Sequence, residues 1–249
     1  MKPFIIILSL VLLSSCAEKK QPLSAQTIVD KAIERACSGN CEHAKIDFTF
    51  RDRCYISRRK GSEFSYERIT SDSTGVTHDV LNNMAFLRHK NDTLIVVADS
   101  MITKYSNSIN SVHYFAQLPF GLNAPAAVKE LLGESIIEAE PYYVIGVSFT
   151  EENVGTDFED TFVYWIHKEN FTVDYLAYEY AVDGGGIRFR EAYNPRVVNG
   201  IRFVDYNNYK PKDLKIPLRE LGKLYEEGAL KLLSKIETES VGVQLLNSN

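Results

Sequence analysis

The sequence predicts an α+β fold that is mostly antiparallel β: a strongly curved half-barrel sheet of about ten strands, with helices covering its concave side. Runs of alternating apolar residues follow one another from residue 45 onward, and short turn sequences separate them. Strands joined by short turns pair antiparallel, because parallel neighbours need long crossovers. An open sheet of about ten strands curls, and several helical stretches are available to cover the inside of the curve.

The composition narrows the class of protein. The chain has 249 residues, of which 45% are hydrophobic and 24% charged, and its formal net charge is −5. These fractions are ordinary for a folded globular protein and exclude disordered, collagen-like and coiled-coil classes. A chain of this length buries enough surface to form a hydrophobic core without the help of disulfides or metal ions. Its scattered, slightly acidic charge lacks the basic footprint of a nucleic-acid-binding protein, so no nucleic-acid partner is expected.

The first residues have the pattern of an export signal. Lys2 precedes an apolar run over residues 4–13, and small residues follow it up to Cys16. This pattern predicts a secretory signal peptide over residues 1–15, and a run of about ten residues is too short to cross a bilayer, which needs about 20. Residues 13–16 (LSSC) resemble the lipobox of bacterial lipoproteins, which implies cleavage before Cys16 and acylation of that residue. The alternative is an ordinary signal peptide with a chance cysteine.

The remaining chain is predicted to be a lipidated tether over residues 16–24 followed by a single domain over residues 25–249. The tether is polar and carries no core-forming pattern, and no repeat or low-complexity linker divides the rest. More than one acyl chain on Cys16 gives stable anchoring, so a membrane is the expected partner. Ala17, a residue other than Asp after the lipidated position, resembles the sorting rule of Gram-negative lipoproteins. That resemblance implies the periplasmic leaflet of the outer membrane.

Three helices are predicted. Ser24 is a plausible N-cap for residues 25–36, whose apolar side chains fall on one face. Residues 99–116 repeat apolar side chains at three- and four-residue steps, but their Asn and Ser residues are poor helix formers, so packing must hold this helix. Pro217 suits the first turn of a short third helix. Residues 126–132 are compatible with a further short helix.

The strand pattern carries apolar residues on both faces in the second half of the chain. The predicted strands cover residues 45–50, 63–70, 76–81, 85–89, 93–97, 142–150, 160–167, 172–182, 187–193, 201–209 and 232–245. In strands 160–167 and 172–182 the aromatic rings fall on both faces, whereas a sheet with one solvated face alternates more cleanly. Either helices cover parts of both faces, or the aromatic side chains line a ligand cavity.

Cys37 and Cys41 flank a tight loop just after the first predicted helix. Export places them in an oxidising compartment, and a disulfide is feasible if the turn brings their Cα atoms within about 7 Å. Free thiols are one alternative. A metal site is another, although the ligand spacing is incomplete and His43 alone extends it. Cys54 lies in a strand pattern and is expected to be a small buried apolar residue.

The candidate ligand-binding residues are aromatic and arginine side chains of the long predicted helix, the connection after it and the later strands: Tyr105, Phe115, Phe120, Trp165, Tyr178, Arg188 and Arg190. Tyr and Trp suit a cavity wall because they combine an apolar body with a polar tip. Arg188 and Arg190 share one strand face, where they can hold a carboxylate or phosphate head group. The alternatives are a plain packed core for the rings and cross-strand pairing with acids such as Glu179 or Asp205 for the arginines.

Several segments together carry a resemblance to a known family. They are residues 25–32 (AQTIVDKA), 104–108 (KYSNS), 115–123 (FAQLPFGLN), 162–165 (FVYW), 171–178 (FTVDYLAY) and 185–194 (GGIRFREAYN). The sequence resembles a family of uncharacterised bacterial lipoproteins whose fold is related to the outer-membrane lipoprotein carrier and its receptor, over most of residues 25–240. In that fold an incomplete barrel shelters acyl chains. The resemblance implies the fold, whereas function has to be argued from a site.

No sequence motif identifies a reaction. A serine nucleophile elbow, a zinc-protease helix motif and a phosphate loop are all absent from the sequence. The acidic residues within 151–160 lack the spacing of a calcium loop, so neither a metal nor a cofactor is predicted. The predicted function is a membrane-anchored, non-enzymatic module that binds a lipid or another apolar ligand. The alternatives are an accessory subunit of an envelope assembly, with unidentified protein partners and no ligand, and lastly an envelope hydrolase.

We predict that radiolabelled palmitate attaches to the wild-type chain and not to a Cys16→Ser chain, because the lipobox cysteine carries the acyl groups. The Cys16→Ser chain is expected in the soluble envelope fraction, since it has lost its anchor. A Cys54→Ser chain is the matched control and keeps its label. Labelling of the Cys16→Ser chain would show that the anchor is elsewhere.

Overall fold

The computed structural model describes residues 22–150, 161–181 and 184–247. The predicted signal peptide, Cys16 and the acidic segment 151–160 lie outside these residues. The described helices are α1 (Ala25–Cys37), α2 (Asp99–Ala116) and α3 (Leu221–Glu226). The described strands are β1 (His43–Phe50), β2 (Arg53–Lys60), β3 (Glu63–Asp72), β4 (Gly75–Asn82), β5 (Phe86–Lys90), β6 (Thr93–Ile95), β7 (Ala127–Ile137), β8 (Glu140–Phe149), β9 (Thr161–His167), β10 (Val173–Tyr180), β11 (Gly186–Val198), β12 (Ile201–Lys210), β13 (Lys231–Ile236) and β14 (Glu239–Leu245).

Helix α1 begins and ends where its sequence predicts. The Ser24 hydroxyl accepts a hydrogen bond from the backbone N–H of Thr27 at 3.1 Å, as an N-cap does. One face of the helix, including Ile28 and Val29, is fully buried. The helix ends at Ser38, which adopts a left-handed backbone conformation with φ 47° and turns the chain toward β1.

The strands form two seven-stranded antiparallel sheets that curl without closing, which confirms the predicted fold class. The first sheet has the order β14-β1-β2-β3-β4-β5-β6, and the second has the order β13-β12-β11-β10-β9-β8-β7. The last two strands follow one another directly, so the chain leaves the second sheet as β13 and enters the first as β14. Thr238 makes this crossing, and its backbone N–H donates to the Asp205 carboxylate at 3.0 Å. The predicted single strand over residues 232–245 is therefore two strands.

Strand β7 occupies residues that are compatible with a short helix by sequence. Residues 126–132 include Glu and two Leu, which favour helices, but β7 pairs with β8 from Ala127 to Ile137. A bulge between Leu131 and Gly133 interrupts the register, and Gly133 takes the positive φ of 135° that an L side chain rarely adopts. The helix expectation is wrong because cross-strand pairing overrides a weak local propensity.

Helices cover both faces of the second sheet. We call the face toward α1 and α2 the inner face, and the opposite one the outer face. Side chains of α1 pack on the inner face with Tyr164 of β9, while Leu221 of α3 packs on the outer face with Trp165. The sequence predicts helices on the concave side of the sheet only, whereas α3 also covers the outer face. Gly222 permits this close approach, since an added Cβ there would lie 2.9 Å from Ile137 Cδ1.

Cys37 and Cys41 form a disulfide, with their Cα atoms 5.2 Å apart. The bond joins the end of α1 to the chain just before β1, and both residues are buried in a cluster with Ile46 and Phe48 of β1. Cys54 is a free cysteine in β2 and is partly buried.

Among the described residues, no helix is long and apolar enough to cross a membrane.

We predict that replacing Cys37 and Cys41 together by Ser lowers the free energy of unfolding by about 2 kcal/mol, the low end of the usual range because the closed loop is short. Urea denaturation under oxidising conditions measures this. A Cys54→Ser chain under the same conditions keeps a free energy close to wild type. Free thiols at both positions in non-reducing peptide maps of the exported chain would contradict the pairing.

Candidate functional site

Helix α2 bridges the two sheets, and the candidate site lies beneath its C-terminal end. Its sequence is rich in Asn and Ser, and Ala98 at its start makes no side-chain cap. Within α2, only Ile109 and His113 are buried. Packing and a few specific contacts therefore hold this helix in place.

Buried polar contacts attach α2 to the first sheet at His113. The imidazole stacks on the Tyr66 ring, with centroids 4.5 Å apart. Its Nε2 donates to the Glu67 carbonyl at 3.2 Å, and its Nδ1 accepts from the Gln117 amide at 3.4 Å. Burial lowers the pKa of His113 to about 4, so the ring is neutral near pH 7, with one nitrogen donating and the other accepting.

A buried ion network attaches the middle of α2 to the same sheet. The Asp79 carboxylate accepts hydrogen bonds from Arg68 Nη2 at 2.7 Å and from Arg88 Nε at 2.5 Å. Arg68 also donates to Ser108 on α2 at 3.0 Å, and the Arg88 guanidinium lies 3.7 Å from the Tyr105 ring centroid. Burial alone would raise the pKa of Asp79, but the hydrogen bonds from the two arginines hold it below its usual value. Tyr105 thus belongs to the attachment of the helix.

Aromatic contacts attach the end of α2 to the inner face of the second sheet. The Tyr114 and Tyr164 hydroxyls are 2.6 Å apart. The Phe115 ring packs against Tyr178, with centroids 5.2 Å apart, and against Phe162, with centroids 6.4 Å apart. These residues, with Phe149 and the arginine described next, form what we call the inner-face site.

Arg190 lies at the centre of the inner-face site and is only 7% exposed. Its Nη2 donates to the Tyr178 hydroxyl at 2.7 Å, and its guanidinium lies 3.8 Å from the Phe115 ring centroid. Its Nε and Nη1 atoms are buried without a hydrogen-bond partner. Within the described part of the chain, Arg190 forms no ion pair with a carboxylate.

The arginines of β11 do not pair with acids as the cross-strand alternative proposes. Arg188 is directly opposite Tyr178, and its Nη2 donates to the Tyr180 hydroxyl at 2.5 Å. Glu179 is opposite Ile187 and therefore points to the other face, because successive side chains of a strand alternate. Asp205 is held instead by Arg196 at 3.1 Å. Within the described residues that alternative is wrong, because the β10 residues directly opposite Arg188 and Arg190 are Tyr178 and Leu176.

The buried hydroxyls of the site stay protonated at neutral pH. Burial raises the pKa of Tyr206 to about 12 and lifts the pKa values of Tyr114 and Tyr164 above their usual range. These phenols can therefore donate hydrogen bonds, but they supply no negative charge to balance Arg190. Tyr164 lies in the same alternating set as Phe162, and that pattern was the sequence signal for its place on the inner face.

The structure brings together four of the seven predicted ligand-binding residues. Phe115, Tyr178 and Arg190 are in contact, and Arg188 lies beside them on the same strand face. Trp165 is fully buried on the outer face, because it neighbours Tyr164 in β9 and points the opposite way. Phe120 is on the first-sheet side, where the Arg59 guanidinium lies 4.9 Å from its ring centroid.

Two open grooves on the surface do not coincide with the inner-face site. One, of about 520 Å³, lies beside Asn123 and Lys129. The other, of about 330 Å³, lies between Glu138 and Tyr225 on the outer side. In the inner-face site the aromatic rings contact one another. Within the described residues, no group of three His, Cys, Asp or Glu side chains is placed to hold a metal ion.

Comparisons with known proteins point to an uncharacterised family. The model described as "Family of unknown function (DUF6503)" matches residues 1–238, which confirms the predicted kind of family. No curated protein matches the chain by sequence.

Solved structures of similar shape include proteins from three bacteria. A DUF1329 family protein from Desulfovibrio piger is 10% identical, with a TM-score of 0.54, over 89% of this chain and 93% of that one. A LolA superfamily protein from Nitrosomonas europaea is 14% identical, with a TM-score of 0.49, over 91% and 94%. A putative outer membrane lipoprotein-sorting protein domain from Vibrio parahaemolyticus is 8% identical, with a TM-score of 0.45, over 89% and 92%. The likeness to the first of these shows a shared fold and carries nothing about function.

We predict that neutral His113 makes stability depend on pH. The pKa is lower in the folded state than the unfolded value of 6.5, so the unfolded state binds more protons between about pH 4 and 6.5. The stabilisation is complete above pH 6.5 and falls by up to about 3 kcal/mol as pH drops through this window.

Urea unfolding at several pH values measures the effect as the difference between wild type and His113→Gln. The variant is expected to lose less stability than wild type between pH 6.5 and 4. A His89→Gln chain, changed at a partly exposed histidine, controls for the loss of an imidazole and keeps the wild-type slope. If the free energy of unfolding depends on pH equally in wild type and His113→Gln, the lowered pKa of His113 is contradicted.

Proposed function

We propose that this chain, which belongs to the family of unknown function DUF6503, is a non-enzymatic envelope lipoprotein that binds a lipid or another apolar ligand at the inner-face site. In this proposal Cys16 carries the acyl anchor, and Ala17 directs the protein to the periplasmic leaflet of the outer membrane. The ligand lies between the end of α2 and strands β9 to β11. Phe115, Tyr178 and Arg190 contact it, whereas Arg188 donates to Tyr180 and to the Ile187 carbonyl instead.

The observation that carries the proposal is the aromatic lining beneath a helix with few attachments on that side. Phe162 is the centre of this lining: its ring contacts those of Tyr114, Phe149, Tyr164 and Tyr178, with centroids 5.7 to 6.1 Å apart. Such rings offer an acyl chain a large apolar surface. The matching contacts from α2 come from two adjacent residues, Tyr114 and Phe115, so a small displacement of the helix end uncovers the lining.

The contacts on the two sides of α2 support a displacement at this end. The Asp79 network and the His113 hydrogen bonds fix the helix on the first sheet, and breaking a buried ion pair is strongly unfavourable. Ring contacts with the second sheet are not directional, and an apolar ligand can replace them at little net cost. Ligand entry on the second-sheet side is therefore the easier route.

A second candidate function, an accessory subunit without a ligand, is favoured by the free edge of the first sheet. All three residues of β6 are exposed, and Val96 directly after it is fully exposed. Leu94 and Ile95 are 59% and 40% exposed. An unpaired edge strand with apolar side chains is a typical protein-interaction surface.

We predict that native mass spectrometry detects copurified lipid on the soluble Cys16→Ser chain, collected from the envelope without detergent. Adding Phe115→Ala to that chain is expected to lower the lipid-bound fraction several-fold, since the ring that closes the site is lost. Phe64→Ala, a matched loss of a partly buried ring on the first sheet, leaves the fraction unchanged. A lipid-free mass together with a reproducible protein partner would favour the accessory subunit instead.

A further inference from the structure

We propose that the ligand of the inner-face site is an anionic amphiphile, and that Arg190 binds its carboxylate or phosphate group. This inference rests on the proposed function and deepens it by naming the chemical class of the ligand. In this arrangement the apolar tail of the ligand lies against Phe115 and Phe162.

The charge of Arg190 is not balanced by a carboxylate within the described residues. A buried guanidinium is unfavourable unless it is paired and its donors are satisfied. Arg190 is 7% exposed, and it has an acceptor for Nη2 but none for Nε or Nη1. The side chain therefore keeps two buried nitrogens whose N–H groups are ready for an acceptor.

Another buried arginine of this chain is paired with a carboxylate. Arg68 is also 7% exposed, and Asp79 accepts hydrogen bonds from its Nε and Nη2 at 3.2 and 2.7 Å. Arg196, which is less buried, is paired with Asp205. These two arginines are each paired with a carboxylate, whereas Arg190, as buried as Arg68, has none within the described residues.

The neighbours of Arg190 complement an anion. The Tyr178 hydroxyl accepts from Nη2, so its own proton is free to be donated to the same anion. Tyr206, whose ring centroid is 5.8 Å from the guanidinium, is a neutral phenol. An anion placed here meets a cation and hydroxyl donors. A charge-assisted hydrogen bond of this kind is about twice as strong as a neutral one.

Phe115 covers the Arg190 guanidinium and so controls access to it. Phe115 lies over the guanidinium at 3.8 Å, and it is carried by the end of α2 that the proposed ligand displaces. The movement that uncovers the aromatic lining therefore uncovers Arg190 as well. Arg188, near the end of β10 and the start of β11, already donates from Nη2 to Tyr180 and from Nη1 to the Ile187 carbonyl. Because both of these nitrogens have acceptors, Arg188 is the matched control.

The test compares three ligands with the same sixteen-carbon tail: hexadecanoate, hexadecyl phosphate and hexadecanol. Binding to the soluble Cys16→Ser chain is measured by displacement of a fluorescent fatty alcohol. At least one of the two anions is expected to bind roughly tenfold more tightly than hexadecanol, and the tighter anion identifies the head-group chemistry.

The variants separate this inference from the proposed function. In Arg190→Gln the anion is expected to bind less than threefold more tightly than hexadecanol, while hexadecanol itself binds as it does to wild type. Arg190→Lys is expected to keep most of the tenfold preference for the anion. Arg188→Gln keeps the wild-type preference. If all three ligands bind wild type equally, or if Arg190→Gln leaves the preference intact, Arg190 is not the anion site. If none of them binds, the proposed function itself fails.

Thermal unfolding gives a readout that does not depend on a successful displacement assay. Without ligand, an Arg190→Met chain is expected to melt no lower than the Cys16→Ser parent, because Met keeps the apolar stem and removes an unpaired buried charge. The preferred anion is expected to raise the melting temperature of the parent and not that of the variant. A large loss of stability in Arg190→Met would show that the guanidinium is structural.

Discussion

The second sheet carries large apolar side chains on both of its faces, and the arrangement of the other elements follows from the need to cover both. Tyr164 and Trp165 are neighbours in β9, and both are fully buried because they point to opposite faces. A β-sheet with two apolar faces is unstable in water unless other elements lie on each side. Helix α1 and the end of α2 meet this need on the inner face, and α3 meets it on the outer face.

The two kinds of contact made by α2 give its two sides different properties. On the first sheet, the helix depends on an ion network around Asp79 and on the neutral imidazole of His113, and both require definite geometry. On the second sheet, it depends on ring contacts and on a single hydroxyl pair between Tyr114 and Tyr164. Interactions that need definite geometry are all-or-none, whereas apolar contacts can be exchanged for others of similar area. In the proposed function, α2 keeps its contacts with the first sheet while its end moves away from the second.

Patterns of period two and short turns are enough to predict an antiparallel, curled sheet, because neither property depends on distant residues. The division into two sheets depends on the crossing from β13 to β14 at Thr238, and that crossing is fixed by Asp205, more than thirty residues earlier. The face of each side chain is similarly predictable within a strand. Which buried arginine lacks a carboxylate is not, because it depends on the register that places Leu176 opposite Arg190 and Tyr178 opposite Arg188. Alternation along a strand indicates which rings share a face, and register decides which of them meet.

The inner-face site is filled by the protein's own side chains. Phe115 lies on the guanidinium of Arg190, and a ring face attracts a cation with about 0.5–2 kcal/mol. A ligand that displaces Phe115 must replace both its apolar contacts and this attraction. A neutral tail replaces only the apolar part and leaves the cation less well solvated, whereas an anionic amphiphile replaces both and adds a charge-assisted hydrogen bond. In the proposed mode of binding, affinity is the difference in free energy between the liganded state and the state in which Phe115 covers Arg190. The buried charge of Arg190, which has no carboxylate partner within the described residues, would then favour an anionic ligand.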